Sequence, residues 1–365
     1  MTATLRVVLD QLVSPTSPDL AEASHALTRA LIATAPRGAD VAGIIPRGDD
    51  PAVDGLVDVT RLALPRRELA ASWQLGVAPG VGKGMIHSPT LMGPLVRHDR
   101  VNETHQIVVT LWDLRAWEAP ETLSRPEAMW HRAMLKRAER YADAVVVPTH
   151  AMAAALSEIA PRLAGRIRVI AGAAPEGFRV PTDVAGRLRS LDLPAAFVLI
   201  DGAREIGRDA ALAAVARAGG GAPVVVTGVG DPDVAGIADL AATAGLPESR
   251  IHVRGALEPF DRAAVLSSAS LLIAPATDTA FPWLVVEALA LGTPVVAADC
   301  AVHREVVLDG GLLVDASAEG LRDGLTQVLA SDSALARLAV MSGDRGRAFS
   351  WLGAAERVWQ LHAEL

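Results

Sequence analysis

The chain has 365 residues, of which 51% are apolar, only 4% aromatic and 21% charged, and its formal net charge is −8. That length suffices for two domains with separate cores, the apolar fraction excludes a disordered chain, and the negative balance excludes a general basic footprint for nucleic acid. The single cysteine, Cys300, excludes a disulfide framework and suits a reducing cytosol as a small buried hydrophobe.

The first residues, MTATLRVVLDQLVSP, enter a strand with no charged segment leading into a long apolar one, so no secretory signal is expected. Runs of Val, Ile and Leu then recur: LRVVLD, DVAGII, QIVVTLW, DAVVVPT and RIRVIAG, followed by AFVLID, APVVVTG, RIHVRG, SLLIAPA, TPVVAAD and GGLLVDA. Segments such as DLAEASHALTRALIA, PEAMWHRAMLKRAERYA and DRAAVLSSA lie between them and carry apolar residues at helical spacing. Alternating strands and helices predict an α/β chain of two doubly wound parallel sheets, about five or six strands each, facing a cleft. Gly and Pro cluster and no strand fits between about 173 and 194. The expected domains are therefore 1–178 and 179–349, with an amphipathic helix at 350–365, capped by Ser350, free to return to the first domain. The most apolar stretches, around 263–276 and 283–298, are interrupted by Ser, Glu287, Gly292 and Pro294 and are too short to span a bilayer.

In the first half, GMIHSPTLMGPL and IVVTLWDLRAW end two strands with polar groups, which makes His87, Trp112 and Asp113 candidates for acceptor contacts. Each is equally readable as a cap or a packing residue. The helix with His131, Arg132, Lys136, Arg137 and Arg140 is basic on one side, a face suited either to solvent or to peripheral contact with anionic lipid.

In the second half, VLIDGAREIGRDAALAAVARA places Arg204 and Arg208 in a Gly-containing loop that opens a helix near Asp209. Guanidinium forks beside free helix amides make a seat for a diphosphate, although an ordinary solvated loop reads the same way. VVVTGVGDPDVAGIADL has Gly228 and Gly230 after a strand, but Asp233 stands where a dinucleotide fingerprint needs its third glycine. Asp231 and Asp233 resemble a metal-binding pair, yet Pro232 between them favours capping of the next helix. ATDTAFPWLVVEALALGTPVV, residues 276–296, runs from a strand end into an apolar helix carrying one acid, Glu287. A carboxylate there can accept two ribose hydroxyls or pair with a neighbouring element.

Together these pieces resemble glycosyltransferase family 4, the group of retaining, sugar-nucleotide-dependent enzymes with the GT-B fold. HSPTLMGPL with VVTLWDLRAWEAPE, ADAVVVPTHAMAAALSE with RIRVIAGAAPEGF, and HREVVLDGGLLVDASAEGLRDGLTQVL with RAFSWLGAAERVW are similar to its successive motifs. FPWLVVEALALGTPVVA resembles the central "Glu-Gly-Phe-Pro-x-x-x-x-Glu-Ala-x-Ala-x-Gly-x-Pro-Val-Val", which includes Phe281. The resemblance implies that Glu287 holds the nucleotide ribose and that Arg208, with Arg204, neutralises the diphosphate. It further implies that the amides of Trp283 and Leu284 bind phosphate and that Arg254 lies in the loop meeting the base. The departures fall on the sugar side: Thr279 replaces the motif's first glutamate, Trp112 replaces the histidine before Asp113, and Ala203 replaces an arginine.

The implied activity is retaining transfer of a hexose, mannose or a 6-deoxyhexose, from a nucleoside diphosphate sugar to a glycan, glycolipid or small-molecule acceptor. No metal or other cofactor is expected, and Asp113 or Thr279 is expected to contact donor or acceptor hydroxyls. The implied place is the cytoplasm or the inner face of its membrane, in company with other glycosyltransferases. The alternative is a degenerate GT-B pseudo-enzyme acting as a subunit or scaffold of such an assembly. An epimerase or phosphorylase on the same fold is a third option with less behind it, since neither of the two lysines, Lys83 and Lys136, matches a phosphorylase's lysine for pyridoxal phosphate.

Overall fold

A computed structural model describes residues 3–99, 105–218, 221–230 and 233–365. The chain divides into two compact units, Met1–Gly172 with Ser350–Leu365, and Ala173–Phe349.

The first unit holds a seven-stranded parallel sheet of β1 (Ala3–Val8), β2 (Ala39–Ile45), β3 (Val59–Arg61), β4 (Met85–Ser88), β5 (Gln106–Thr110), β6 (Ala144–Val147) and β7 (Ile167–Val169), in the order β3-β2-β1-β4-β5-β6-β7. Every pairing is parallel, with Val7 of β1 opposite Gly43 of β2 and His87 of β4. Helices cover the faces, so the strands read as nearly unbroken Val and Ile rather than as alternating patterns. Val8, Ile44 and Ile86 pack with Leu69 and the fully buried Trp73 on one such face. The edge strand β3 is only three residues, VTR, too short and too polar to stand out among the longer apolar runs.

The helix Trp351–Glu364 also belongs to this unit and packs on the helix Pro18–Ala33. Its apolar residues at 351, 354, 355, 358, 359 and 361 form one buried stripe, and Ser350 accepts the Gly353 N–H as its N-cap. Trp359 Nε1 donates to the Leu31 carbonyl at 3.1 Å.

The second unit holds six parallel strands, β8 (Phe197–Asp201), β9 (Val224–Thr227), β10 (Ile251–Val253), β11 (Ala269–Ala274), β12 (Val295–Ala298) and β13 (Leu312–Val314), in the order β10-β9-β8-β11-β12-β13. Val198, Ile200, Val224, Val226 and Leu271 pack with Leu212 and Val215 of the helix Arg208–Ala218 in its core. In this order, strands leave the centre in both directions from β8 and β11. The carboxyl ends of those two strands are therefore the topological switch point of the sheet, the place where open α/β sheets take ligands. Among the described residues, no helix is long and apolar enough to cross a membrane.

Candidate functional site

The loops following β8 and β11 meet at Gly207 and Pro275. Gly207 has φ of 85°, and a Cβ there would lie 2.5 Å from the Pro275 carbonyl oxygen. Only glycine permits both the left-handed conformation and that approach of two backbones. Gly202, where the β8 loop begins, is equally confined, since an added Cβ would lie 2.6 Å from Val226 Cγ1.

Arg208 opens the helix Arg208–Ala218 and is almost wholly buried. Its Nε donates to the Gly202 carbonyl at 2.8 Å, closing the loop on itself. Its Nη1 lies 3.6 Å from Asp233 Oδ2. Asp233 stands at the N-cap position of the helix Val234–Thr243, but its carboxylate accepts no capping hydrogen bond. The capping expected of Asp233 is thus corrected: a guanidinium within reach is a stronger partner for a carboxylate than a helix N–H. Asp231 and Pro232 lie outside the described residues.

Arg204 turns to the other loop. Its Nε donates to Asp278 Oδ2 at 3.0 Å, and Nη2 bonds the same oxygen as well as the Asp278 carbonyl. Thr279 follows, half-buried, and then Phe281 and Trp283, whose rings meet edge to face at 4.6 Å. Trp283 begins the nine-residue helix Trp283–Leu291, and its N–H donates to the Phe281 carbonyl at 3.1 Å. Leu284 is the second residue of that helix, where no carbonyl stands one turn earlier to receive its N–H within the helix. The helix ends at Gly292, whose left-handed φ of 71° turns the chain toward β12.

Glu287 is buried in the second turn of this helix, and Arg262 of the helix Pro259–Ser268 grips it with a fork: Nε to Oε2 at 2.9 Å and Nη2 to Oε1 at 2.6 Å. Pairing with a neighbouring element, one of the two readings open from the sequence, is therefore what its carboxylate does in this structure. Arg262 Nε also reaches Oε1, at 3.2 Å.

Arg254 is placed elsewhere. It follows β10, the edge strand two places from β8. Its Nε donates to the Leu191 carbonyl at 2.7 Å and Nη2 to the Asp192 carbonyl at 2.9 Å. The side chain thus caps the C-terminal end of the helix Val184–Ser190, where a cation meets the exposed carbonyls and the negative end of the helix dipole.

In the first unit, Asp113 is partly exposed and accepts from Arg115 twice, from the backbone N–H and from Nη2, both at 3.0 Å. It so closes a turn just ahead of the short helix Arg115–Glu118, whose N-cap residue is Leu114. Trp112 is buried; its Nε1 donates to the Pro89 carbonyl at 2.7 Å, and its ring lies edge to face with Trp351 at 6.5 Å. His87 is also enclosed, neither ring nitrogen having a partner, and burial holds it well below the usual imidazole range. It lies edge to face with His362 of the C-terminal helix, so the open polar strand end expected there is corrected to an internal position. On the helix Arg125–Tyr141, Arg132 Nε donates to the Ala116 carbonyl, and Arg137 reaches the Leu95 carbonyl and stacks over Tyr141. Of the expected basic face, Lys136 and Arg140 are the exposed cations whose side chains hold no carbonyl.

Three polar groups escaped the reading of the sequence. Asp278 and Arg262 are defined by partners 74 and 25 residues away. Asp10, at the carboxyl end of β1, is fully buried; Arg66 Nε and Gln11 Nε2 each bond its Oδ2 at 2.8 Å, and burial raises its pKa. The only sequence signal was an acid ending an apolar strand. Among the described residues, no group of three or more His, Cys, Asp or Glu side chains is arranged to hold a metal ion.

Residues 205–331 match the family model described as "Glycosyl transferases group 1". The chain is 31% identical over 147 residues to a phosphatidyl-myo-inositol mannosyltransferase of Mycobacterium tuberculosis, which covers 38% of each chain. The chain thus spans well under half the length of the first curated relatives it matches. To the protein of the same name from Mycobacterium leprae it is 27% identical over 325 residues, 85% of this chain and 74% of the relative. Among solved structures it is similar to HepE of Anabaena in complex with UDP and glucose, with a TM-score of 0.70 at 18% identity over the whole of both chains. The fold is accordingly GT-B, two Rossmann-like units in one chain. The segment similar to that family takes in Gly207, Arg208 and the whole loop after β11.

Proposed function

We propose that this chain is a retaining glycosyltransferase that moves a hexose from a nucleoside diphosphate sugar to a hydroxyl of a glycan, glycolipid or small-molecule acceptor. The observation that carries this reading is the junction at Gly207 and Pro275. There the buried Arg208 and the start of the Trp283–Leu291 helix flank the carboxyl ends of the two central strands. Helix amides and guanidinium groups at such a place favour a diphosphate.

In the reaction the bond from the sugar's anomeric carbon to the diphosphate breaks and its electron pair stays on phosphate. A bond from the acceptor oxygen forms on the same face, and the proton of that hydroxyl passes to the departing diphosphate. Arg208 and the N–H groups at the helix start stabilise the departing charge, so the scheme uses no metal. Glu287, oriented by Arg262, accepts from ribose hydroxyls. Phe281 and Trp283 form the apolar wall of the loop, and Thr279 and Asp113 contact donor or acceptor hydroxyls. The relatives are named for mannose transfer and for inositol-bearing acceptors, which makes mannose the first donor sugar to test and an inositol-headed lipid the first acceptor. A lipid acceptor would bring the chain to the inner face of a membrane.

A second reading, a nucleotide-binding scaffold without turnover, is favoured by Trp112. The residue in the family's histidine position is locked between Pro89 and Trp351 and offers no group to a sugar. Thermal-shift titration with UDP, GDP and their sugars, followed by a donor-hydrolysis panel, tests the two. Stabilisation with turnover supports the transferase, stabilisation without turnover under any acceptor supports the scaffold, and no stabilisation removes both.

A further inference from the structure

We propose that the exposed side of the helix Arg125–Tyr141, with the turn at Leu75–Val77 beside it, is a docking surface for a bilayer that carries anionic lipid. Arg125, Met129, Arg132, Lys136 and Arg140 are all exposed. Their spacing, at every third or fourth residue, sets them in one line along the helix. The acids of the helix, Glu127 and Glu139, fall outside that line.

The arrangement does not serve the helix itself. Arg132, Lys136 and Arg140 are successive i, i+4 neighbours of like charge, which repel one another on a helix surface. Arg125 stands in the first turn, where the helix dipole disfavours a cation. The whole chain carries −8, so the stripe runs against the sign of the molecule and dictates which face an anionic surface attracts.

Apolar side chains accompany the cations. Met129 is 67% exposed within the stripe, and Leu75 and Val77 are 80% and 55% exposed on the turn that follows the helix Arg66–Gln74. That turn borders the stripe: a Cβ on Gly76 would lie 2.6 Å from Arg137 Nη2, and Trp130 Nε1 donates to the Ala70 carbonyl at 3.3 Å. Large apolar side chains standing in water next to a row of cations fit an interface with anionic headgroups above and acyl chains just beneath. Lys and Arg reach the headgroup phosphates on long stems while Leu75, Val77 and Met129 leave water. A nucleic acid would engage the cations and give these three side chains no role. The surface lies wholly within the first unit and uses neither Arg208 nor Glu287, so it stands whether or not sugar transfer does.

Co-sedimentation of the whole chain with vesicles of phosphatidylcholine alone, and of phosphatidylcholine mixed with phosphatidylglycerol, tests this. Binding to the mixed vesicles only is expected, and it should weaken as salt rises. Lys136→Gln combined with Arg140→Gln is expected to lower that affinity about tenfold or more, and Leu75→Ser combined with Met129→Ser to lower it while leaving its salt dependence in place. Arg347→Gln, a change at an exposed cation of the second unit, should have no effect. All of these side chains are exposed, so unchanged thermal midpoints separate lost docking from lost fold. Equal binding to both kinds of vesicle, or binding to the mixed vesicles that survives both double variants, would overturn the proposal. A wild type that stays in the supernatant with both vesicles would overturn it as well.

Discussion

Glu287 and Gly207 carry the most specific consequences for single residues. Because the Arg262 fork is partly buried against Glu287, Glu287→Ala leaves a guanidinium without its counter-charge and is expected to destabilise the second unit by about 3 kcal/mol. Glu287→Gln keeps the shape and an acceptor, so it should unfold nearer to wild type in urea while still weakening nucleotide binding. Binding experiments on this position are interpretable only with the glutamine variant. Gly207→Ala meets both a left-handed φ and a carbonyl oxygen 2.5 Å away. A loss of at least about 2 kcal/mol in chemical denaturation is expected, from the backbone term with the clash added. At this scale the sequence was partly legible. Arg208 and Glu287 stood out because each sits at a helix next to a Gly or Pro signal. Arg204 stood out as a cation in a Gly-containing loop, but its pairing with Asp278 did not, because that residue lies 74 residues away and nothing local announces the pair. Arg254 was legible as a cation near a strand end, but which carbonyls it would reach depends on how the Val184–Ser190 helix packs.

Among the elements, the C-terminal helix is the one whose role follows most directly from its pattern. Its stripe of Trp, Ala, Val and Leu at helical spacing, after Ser350 and before the chain end, is readable by eye, and the structure lays that stripe on the helix Pro18–Ala33. Removing the Ser350 hydroxyl should cost about 1 kcal/mol, the usual worth of a cap. Trp359→Ala should cost about 3 kcal/mol or more, because it opens a cavity and leaves the Leu31 carbonyl without its indole donor. The short strand β3 was not legible, since three residues carry no period.

The same helix brings acid sensitivity. His362 is buried near His87 and bonds Gln106 Oε1 through Nδ1 at 2.9 Å. Burial lowers its pKa to about 4, against the opposing pull of Asp143, and lowers that of His87 as well. An unfolded imidazole titrates near 6.5, so between that value and about 4 the unfolded chain binds more protons than the folded one. Stability from these neutral histidines is complete above about pH 6.5 and is lost progressively as pH falls toward 4, by roughly 3 kcal/mol for His362 alone. Denaturation midpoints measured across that window should fall with acid in wild type and fall less in His362→Gln.

For the whole molecule, alternation of strand and helix gave the architecture away, because parallel sheets covered on both faces need near-continuous apolar strands. The strand order followed only from the structure, and it is the order that turns scattered residues into a site: β8 and β11 start at 197 and 269, 72 residues apart, yet are adjacent. The central claim is that the crevice at these two strand ends holds a leaving diphosphate against Arg208. Release of nucleoside diphosphate from GDP-mannose and UDP-glucose, with an inositol-headed lipid or a glycan as acceptor, measures it directly in wild type and Arg208→Ala. Turnover by the wild type that falls on the order of a hundredfold or more in the variant is the predicted result. Turnover that survives the substitution, or its absence from a wild type that still binds both nucleotides, would contradict the claim.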